Sequence, residues 1–169
     1  RTDDAVGTAL REKPANRTEE QMELLHTLCR ATHFFRSLKS HLVEYKCCRY
    51  VQMQKNAPGD VLFTEGDTGG ETFYIILRGS VRGSIEATNT NFQLGVGDSF
   101  GELALVGKKD VDRIRSATIV CQEETTFATL TRVDYLRVSG ELHRLALETL
   151  SRPPDERSQA DVHILAGYL

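Results

Sequence analysis

No apolar run in these 169 residues approaches the roughly 18 that a membrane-spanning helix needs. The first twenty positions are polar and lack the apolar stretch of a secretion signal. A basic excess is missing too: 21 Lys and Arg against 24 Asp and Glu leave a net charge of −3, so nothing draws nucleic acid as a primary partner. The five histidines include no H-x-x-x-H pair, and metal binding finds no support. No P-loop is present, and Gly95, Gly97 and Gly101 are spaced one residue too far for a dinucleotide fingerprint. The four cysteines, Cys29, Cys47, Cys48 and Cys121, form no C-x-x-C pair. They read as reduced core thiols, with adjacent Cys47 and Cys48 expected on opposite faces of a strand, and they imply a cytoplasmic setting.

What is present suits a single globular domain with short extensions: 40% apolar and 27% charged residues. From Thr18 to about Tyr45 the period is helical, with Met22, Leu25, Leu28 and Cys29 on one face and a second short helix expected through Leu38 and Leu42. Asn16-Arg17-Thr18 matches a glycosylation sequon but reads more simply as a helix cap, with Glu19 and Glu20 in the first turn.

From Arg49 to about Thr129 short β-rich runs alternate with glycine-bearing turns. The runs cover 50–53, 61–64, 72–77, 81–87, 92–96, 114–121 and 125–130. Many short strands of this kind point to an antiparallel sandwich or barrel, and a jelly roll is one way to limit exposed edges. From Arg132 to Leu150 the helical period returns, with Leu136, Leu142, Leu145, Leu147 and Leu150 as the expected apolar face. Pro153-Pro154 ends that helix, and Ser158 is placed to cap another beginning at Gln159.

One internal repeat stands out. Leu10, Pro14, Arg17, Thr18, Leu24 and Leu25 recur as Leu150, Pro154, Arg157, Ser158, Ile164 and Leu165, at one constant offset. That period is a domain length, too long for a solenoid. It divides the chain into a domain over 1–150 (helical lead-in 17–46, β-roll 49–130, C-terminal helix 132–150) and a linker with the first helix of a second copy over 151–169.

The segment richest in chemical possibility is Gly95-Val-Gly-Asp-Ser-Phe-Gly-Glu-Leu-Ala-Leu105, followed by Arg113-Ile-Arg-Ser-Ala-Thr-Ile119. Glycines leave backbone N–H groups accessible just before a short helix, where an anion is favoured. An arginine from the next strand can close a bidentate clamp on a phosphate. Glu102 is badly placed for the phosphate and suited to a sugar hydroxyl. Gly97-Asp98-Ser99-Phe100-Gly101 also matches the G-x-S-x-G nucleophile elbow, but no strand–helix alternation surrounds it. No enzyme is expected.

Phe100-Gly101-Glu102-Leu103-Ala104-Leu105 with Arg115-Ser116-Ala117-Thr118 resembles the phosphate-binding cassette of cyclic-nucleotide-binding domains. The strings Pro58 to Asp67 and Phe73 to Val81 are similar to that family's glycine-rich turn and the strand after it. The repeated helix lead-in looks most like tandem domains of cAMP-activated Rap exchange factors or kinase regulatory subunits. The resemblance implies a mainly β fold, an eight-stranded antiparallel β-roll with helices at both ends and the ligand, cAMP or cGMP, inside the roll. It implies that Glu102 binds the ribose 2′-hydroxyl, that Gly101 and Ala104 offer N–H groups and that Arg115 meets the cyclic phosphate. Leu103, Ser116 and Ala117 complete the ligand-binding set, and Leu105 couples the cassette to the C-terminal helix. No cofactor besides the ligand is implied, and the partner is an effector or catalytic domain in the same or another chain.

Two departures bear on this. The spacer between the half-motifs carries about four extra residues within Gly107 to Ile114, so that Arg115 is displaced or Arg113 takes its place, and Ile114 stands where the family has proline. Ser116 sits where a hydroxyl goes with cGMP and alanine with cAMP. The alternative to a sensor is a scaffold of the same fold that no longer takes nucleotide.

Overall fold

The computed structural model describes residues 2–38 and 40–168, so the outer ends of the two expected segments, at 1 and 169, lie outside the described residues. Helix α1 (Thr2–Arg11) leads through a 3-10 turn, Pro14–Asn16, into α2 (Glu19–Arg30). Thr18 caps α2, its hydroxyl accepting from the Gln21 N–H while the Gln21 side chain accepts from the Thr18 N–H. The sequon is a helix cap, as its residue types suggest. Sequence periodicity did not reveal α1, whose buried apolar side chains among the described residues are Val6, Ala9 and Leu10.

The single short helix expected at Leu38 and Leu42 is two helices. Thr32 caps α3 (His33–Ser37) and Ser40 caps α4 (His41–Arg49), and Leu38 lies between them. Cys47 and Cys48 fall in α4 and not in a strand. Successive helical residues are only about 100° apart, so both are buried rather than set on opposite faces. Burial pushes the Cys47 thiol up to about 12 and the Cys121 thiol upward, and a hydrogen bond with Cys29 together with burial raises Cys48. Phe34 and Phe35 are core residues. Glu44 is a buried carboxylate, held by His26 Nε2 at 2.9 Å, Arg30 Nε at 3.1 Å and His41 Nδ1 at 3.4 Å, which ties α2 to α4.

Eight strands follow in two antiparallel sheets. They are β1 (Gln52–Asn56), β2 (Val61–Phe63), β3 (Thr72–Arg78), β4 (Val81–Ile85), β5 (Thr90–Leu94), β6 (Ser99–Phe100), β7 (Thr118–Cys121) and β8 (Thr125–Thr131). The orders are β1-β8-β3-β6 and β2-β7-β4-β5. Seven of these match the β-rich runs, and β6 was not anticipated, because two residues carry no period and only pairing with Tyr74 and Ile75 defines them. Alternation along β3 separates two cores. Phe73 and Ile75 pack with the helices, whereas Tyr74 and Ile76 face the interior of the roll with Phe127 of β8.

Helix α6 (Arg132–Leu150) has the expected span but a different inner face. Val138, Leu142, Ala146 and Thr149 are buried, while Leu136, Leu147 and Leu150 are exposed. Of the expected leucines Leu142 is on the buried face, and Thr149 meets Asp161 of the following helix. A second 3-10 turn, Pro154–Glu156, then leads to α7 (Gln159–Tyr168), with the Ser158 hydroxyl accepting from the Asp161 N–H at 3.2 Å. Among the described residues no helix is long and apolar enough to cross a membrane.

Candidate functional site

The chain leaves β6 at Gly101, whose φ of +88° suits glycine alone. A Cβ there would also lie 2.9 Å from the Thr72 carbonyl and 2.9 Å from Arg115 Nη1. Glu102 then opens the single helical turn α5 (Leu103–Val106). The N–H of Ala104, expected to be offered to a ligand, is spent inside the turn on the Gly101 carbonyl at 3.1 Å. The amides of Glu102 and Leu103, at the start of the turn, have no acceptor within the helix. Leu105 is fully buried beneath the turn, and no hydrogen bond or ion pair among the described residues engages the Glu102 carboxylate.

Arg115 is fixed by backbone contacts that do not depend on the spacer. Its N–H donates to the Asp67 carbonyl at 2.8 Å, and its own carbonyl accepts from Gly66 at 2.8 Å. The side chain turns inward, with Nη2 donating to the Thr72 carbonyl at 3.0 Å and the guanidinium 4.0 Å above the centre of the Phe63 ring. Burial lowers its pKa, and among the described residues no carboxylate lies within ion-pair distance. It is a half-buried cation held by a carbonyl and a ring, with donor capacity toward an anion left over among the described residues.

The lengthened spacer resolves into a 3-10 turn, Asp110–Arg113, that bulges outward. The chain is caught again at Arg113, whose carbonyl accepts from Gly70 at 3.0 Å. The Arg113 side chain faces away toward acids, Glu71 at 2.7 Å and Asp110 at 3.3 Å. The extra residues therefore neither displace Arg115 nor substitute Arg113 for it.

A cavity of about 280 Å³ joins the two half-motifs, and Gly101, Glu102, Leu103, Ala104, Arg115, Ser116 and Ala117 all line it. Sequence reasoning missed its aromatic walls, Phe63 from β2 and Phe92 from β5. It also missed Gly70, read only as a turn residue: a Cβ there would stand 2.8 Å from Arg115 Nε. Ser99 is a strand residue paired with Ile75, unlike the apex of a nucleophile elbow. One side chain connects the site to α6: Arg132 Nη1 donates to the carbonyls of Ala104 at 3.2 Å and Leu105 at 3.0 Å. The turn and the start of α6 are thus directly hydrogen-bonded.

A family model described as the cyclic nucleotide-binding domain matches residues 53–140. Rap guanine nucleotide exchange factor 3 of Homo sapiens is 35% identical over 142 residues, covering 80% of this chain and 14% of that protein. The cAMP-dependent protein kinase regulatory subunit of Candida albicans is 36% identical over 101 residues, covering 60% of this chain and 20% of that one. Among solved structures, the regulatory domain of Toxoplasma gondii PKA with cAMP has a TM-score of 0.54 at 20% identity, covering 78% of this chain and 50% of that one. PKAR CBD2 with Sp-2Cl-cAMPS bound has a TM-score of 0.54 at 22% identity, covering 78% and 86%. These two likenesses concern the fold. The chain spans only about 14% of the length of the Rap exchange factors it matches.

Proposed function

This chain belongs to the cyclic nucleotide-binding domain family, and we propose that it serves as a cytoplasmic sensor of cAMP or cGMP within a larger signalling protein. The observation that carries this reading is Arg115, a half-buried cation without an acidic partner on the wall of a cavity that also holds Gly101 to Ala104. A cyclic phosphate supplies the missing anion, meeting the guanidinium and the first amides of the α5 turn. Glu102, free of other partners, accepts from a ribose hydroxyl, and Phe63 and Phe92 enclose the apolar part of the ligand. The module binds and does not catalyse. A ligand that draws in the α5 turn pulls on Arg132 and biases the position of α6, through which an effector or catalytic domain is informed.

Thermal unfolding with cAMP and cGMP, run separately, tests this. Nucleotide at a hundred times its Kd stabilises the native state by about 2.7 kcal/mol, a rise in Tm of roughly 5–11 °C for a chain of this size. The nucleotide giving the larger shift at equal concentration is the one sensed. No shift with either leaves the scaffold reading in place.

Gly70→Ala gives a finer check, because its added methyl would sit 2.8 Å from Arg115 Nε and 3.0 Å from both its Cζ and the Arg113 carbonyl oxygen, and Gly70 has no left-handed φ to strain. The methyl moves the guanidinium off its seat. Affinity by calorimetry is expected to fall about tenfold, equivalent to about 1.4 kcal/mol, and the crowding against the Arg113 carbonyl lowers the ligand-free Tm as well, so affinity is the quantity to compare. An unaltered affinity would show that the guanidinium position does not matter.

A further inference from the structure

Four residues stand level with one another across the sheet β2-β7-β4-β5. Phe63 lies opposite Ile119, Ile119 opposite Gly83, and Gly83 opposite Phe92. Ile119 belongs to the interior cluster of the roll, Phe63 and Phe92 pack against that cluster, and all three line the cavity. The row is three strand spacings long, about 14 Å along the sheet, and has no polar side chain of its own. The Arg115 guanidinium sits above the ring of Phe63, at the β2 end. One end of the row is therefore cationic and the other apolar.

Gly83 is the odd member. It takes a buried position within β4, and its φ is not left-handed, so its backbone conformation is open to any residue. Glycine inside a strand costs order and packing, and it often marks a place where another group comes close. Here that group is the ring of Phe92. A Cβ on Gly83 would stand 2.1 Å from Phe92 Cζ, 2.2 Å from Cε2 and 2.7 Å from Cε1. The outer end of the ring thus fills the space of the missing side chain, reaching from β5 across β4. The cavity of about 280 Å³ is close to the lower limit of about 300 Å³ for ligand sites, so the position of one ring decides much of its room.

We propose that the Gly83–Phe92 pair determines which cyclic nucleotides the roll accepts. Phe92 is the bed on which the planar base stacks. Gly83 is a positioning residue that keeps this ring down on the sheet and out of the space of the ligand. With the phosphate at Arg115, the base extends along the row toward β5. The ring there offers more contact to a two-ring purine than to a one-ring pyrimidine. Stacking tolerates any base with a π-face, so the pair selects ring size and leaves adenine against guanine to other groups. The roles of both residues presuppose the nucleotide reading of the cavity.

Calorimetry on the 169-residue chain with cAMP and cGMP, and with cCMP read by displacement of cAMP, tests this. Gly83→Ala drives the ring into the cavity and weakens cAMP and cGMP by about tenfold or more. Adding Phe92→Leu to Gly83→Ala removes the obstructing ring, and cAMP affinity recovers by about threefold or more over Gly83→Ala alone. Phe92→Leu by itself lowers the ratio of cAMP to cCMP affinity about fivefold, the size of one aromatic contact. A pair that only stabilised the sheet would change Tm and leave that ratio as it was. Gly83→Ala affinity within about twofold of the unaltered chain, no recovery in the double variant, or an unchanged ratio in Phe92→Leu each overturns the proposal. If near-ultraviolet circular dichroism shows Gly83→Ala to be unfolded, the ratio in Phe92→Leu decides alone. Absence of nucleotide binding by the unaltered chain is a separate result, which overturns the sensor reading and the role of this pair with it.

Discussion

Arg115→Ala is expected to remove nearly all of the thermal stabilisation that nucleotide confers on the unaltered chain. Among the described residues the guanidinium is the one charged donor that faces the cavity without a carboxylate partner, since Arg113 is spent on Glu71 and Asp110. Each hydrogen bond from a charged group contributes about 1.5–3 kcal/mol, and a bidentate contact to phosphate loses two. A hundredfold weaker Kd, at the ligand concentration that gave about 2.7 kcal/mol, leaves only about 0.4 kcal/mol. The rise in Tm then shrinks to roughly 1–2 °C. Arg115→Lys separates charge from geometry: the ammonium keeps the positive charge but not the planar fork, so it recovers part of the affinity. The substitution also removes the bond to the Thr72 carbonyl and the contact with Phe63, so the ligand-induced shift is the quantity to compare. An undiminished shift in Arg115→Ala would place the anion elsewhere.

The largest expected loss of stability from one surface-to-core substitution is at Arg17, far from that cavity. Its guanidinium is buried and donates to four carbonyls at the C-terminal ends of α1 and α4. Helix C-termini carry unpaired carbonyls and a partial negative charge, so a cation between two of them satisfies both needs. Burial lowers the Arg17 pKa and nearby Arg49 adds to that, yet no acid is required because the carbonyls carry the compensation. Alanine leaves these acceptors without a donor in a space that side chains close. The expected cost is on the order of 3 kcal/mol, a fall in Tm of roughly 6–12 °C. Nucleotide should still raise the Tm of Arg17→Ala by its usual increment. A loss under about 1 kcal/mol, read by urea denaturation, would mean that water replaces the guanidinium.

The contrast between these arginines shows what a sequence discloses. Arg115 was legible because the glycines and the hydroxyl-bearing neighbours of its motif lie close together in the chain. The aromatic walls of the same cavity were not, because Phe63 and Phe92 reach it from separate strands, and Gly70 meets the Arg115 side chain from a distant turn. The place of Arg113 depended on Glu71, 42 positions upstream, and no local pattern announces such a pair. The β-rich runs and the cap at Ser158 were visible because alternation and capping are short-range. Helix α1 was not, since Val6, Ala9 and Leu10 make a narrow stripe stabilised by packing on α2 and β1 and by the Arg17 brace. On α6 the leucines misled: helical spacing marks a face, but proximity decides which face is turned inward, and here Ala146 and Thr149 are on it.

The outward turn at Asp110–Arg113 gives the molecule a practical property. Val111 at its crest is 66% exposed, on a segment secured at both ends and beside the rim of the cavity. All four native cysteines are buried, and burial, joined at Cys48 by a hydrogen bond with Cys29, holds three of them in the protonated, unreactive form at neutral pH. A Val111→Cys chain would thus carry one accessible thiol against a silent background. A fluorophore attached there would report the filling of the roll in real time, without any native cysteine having to be removed.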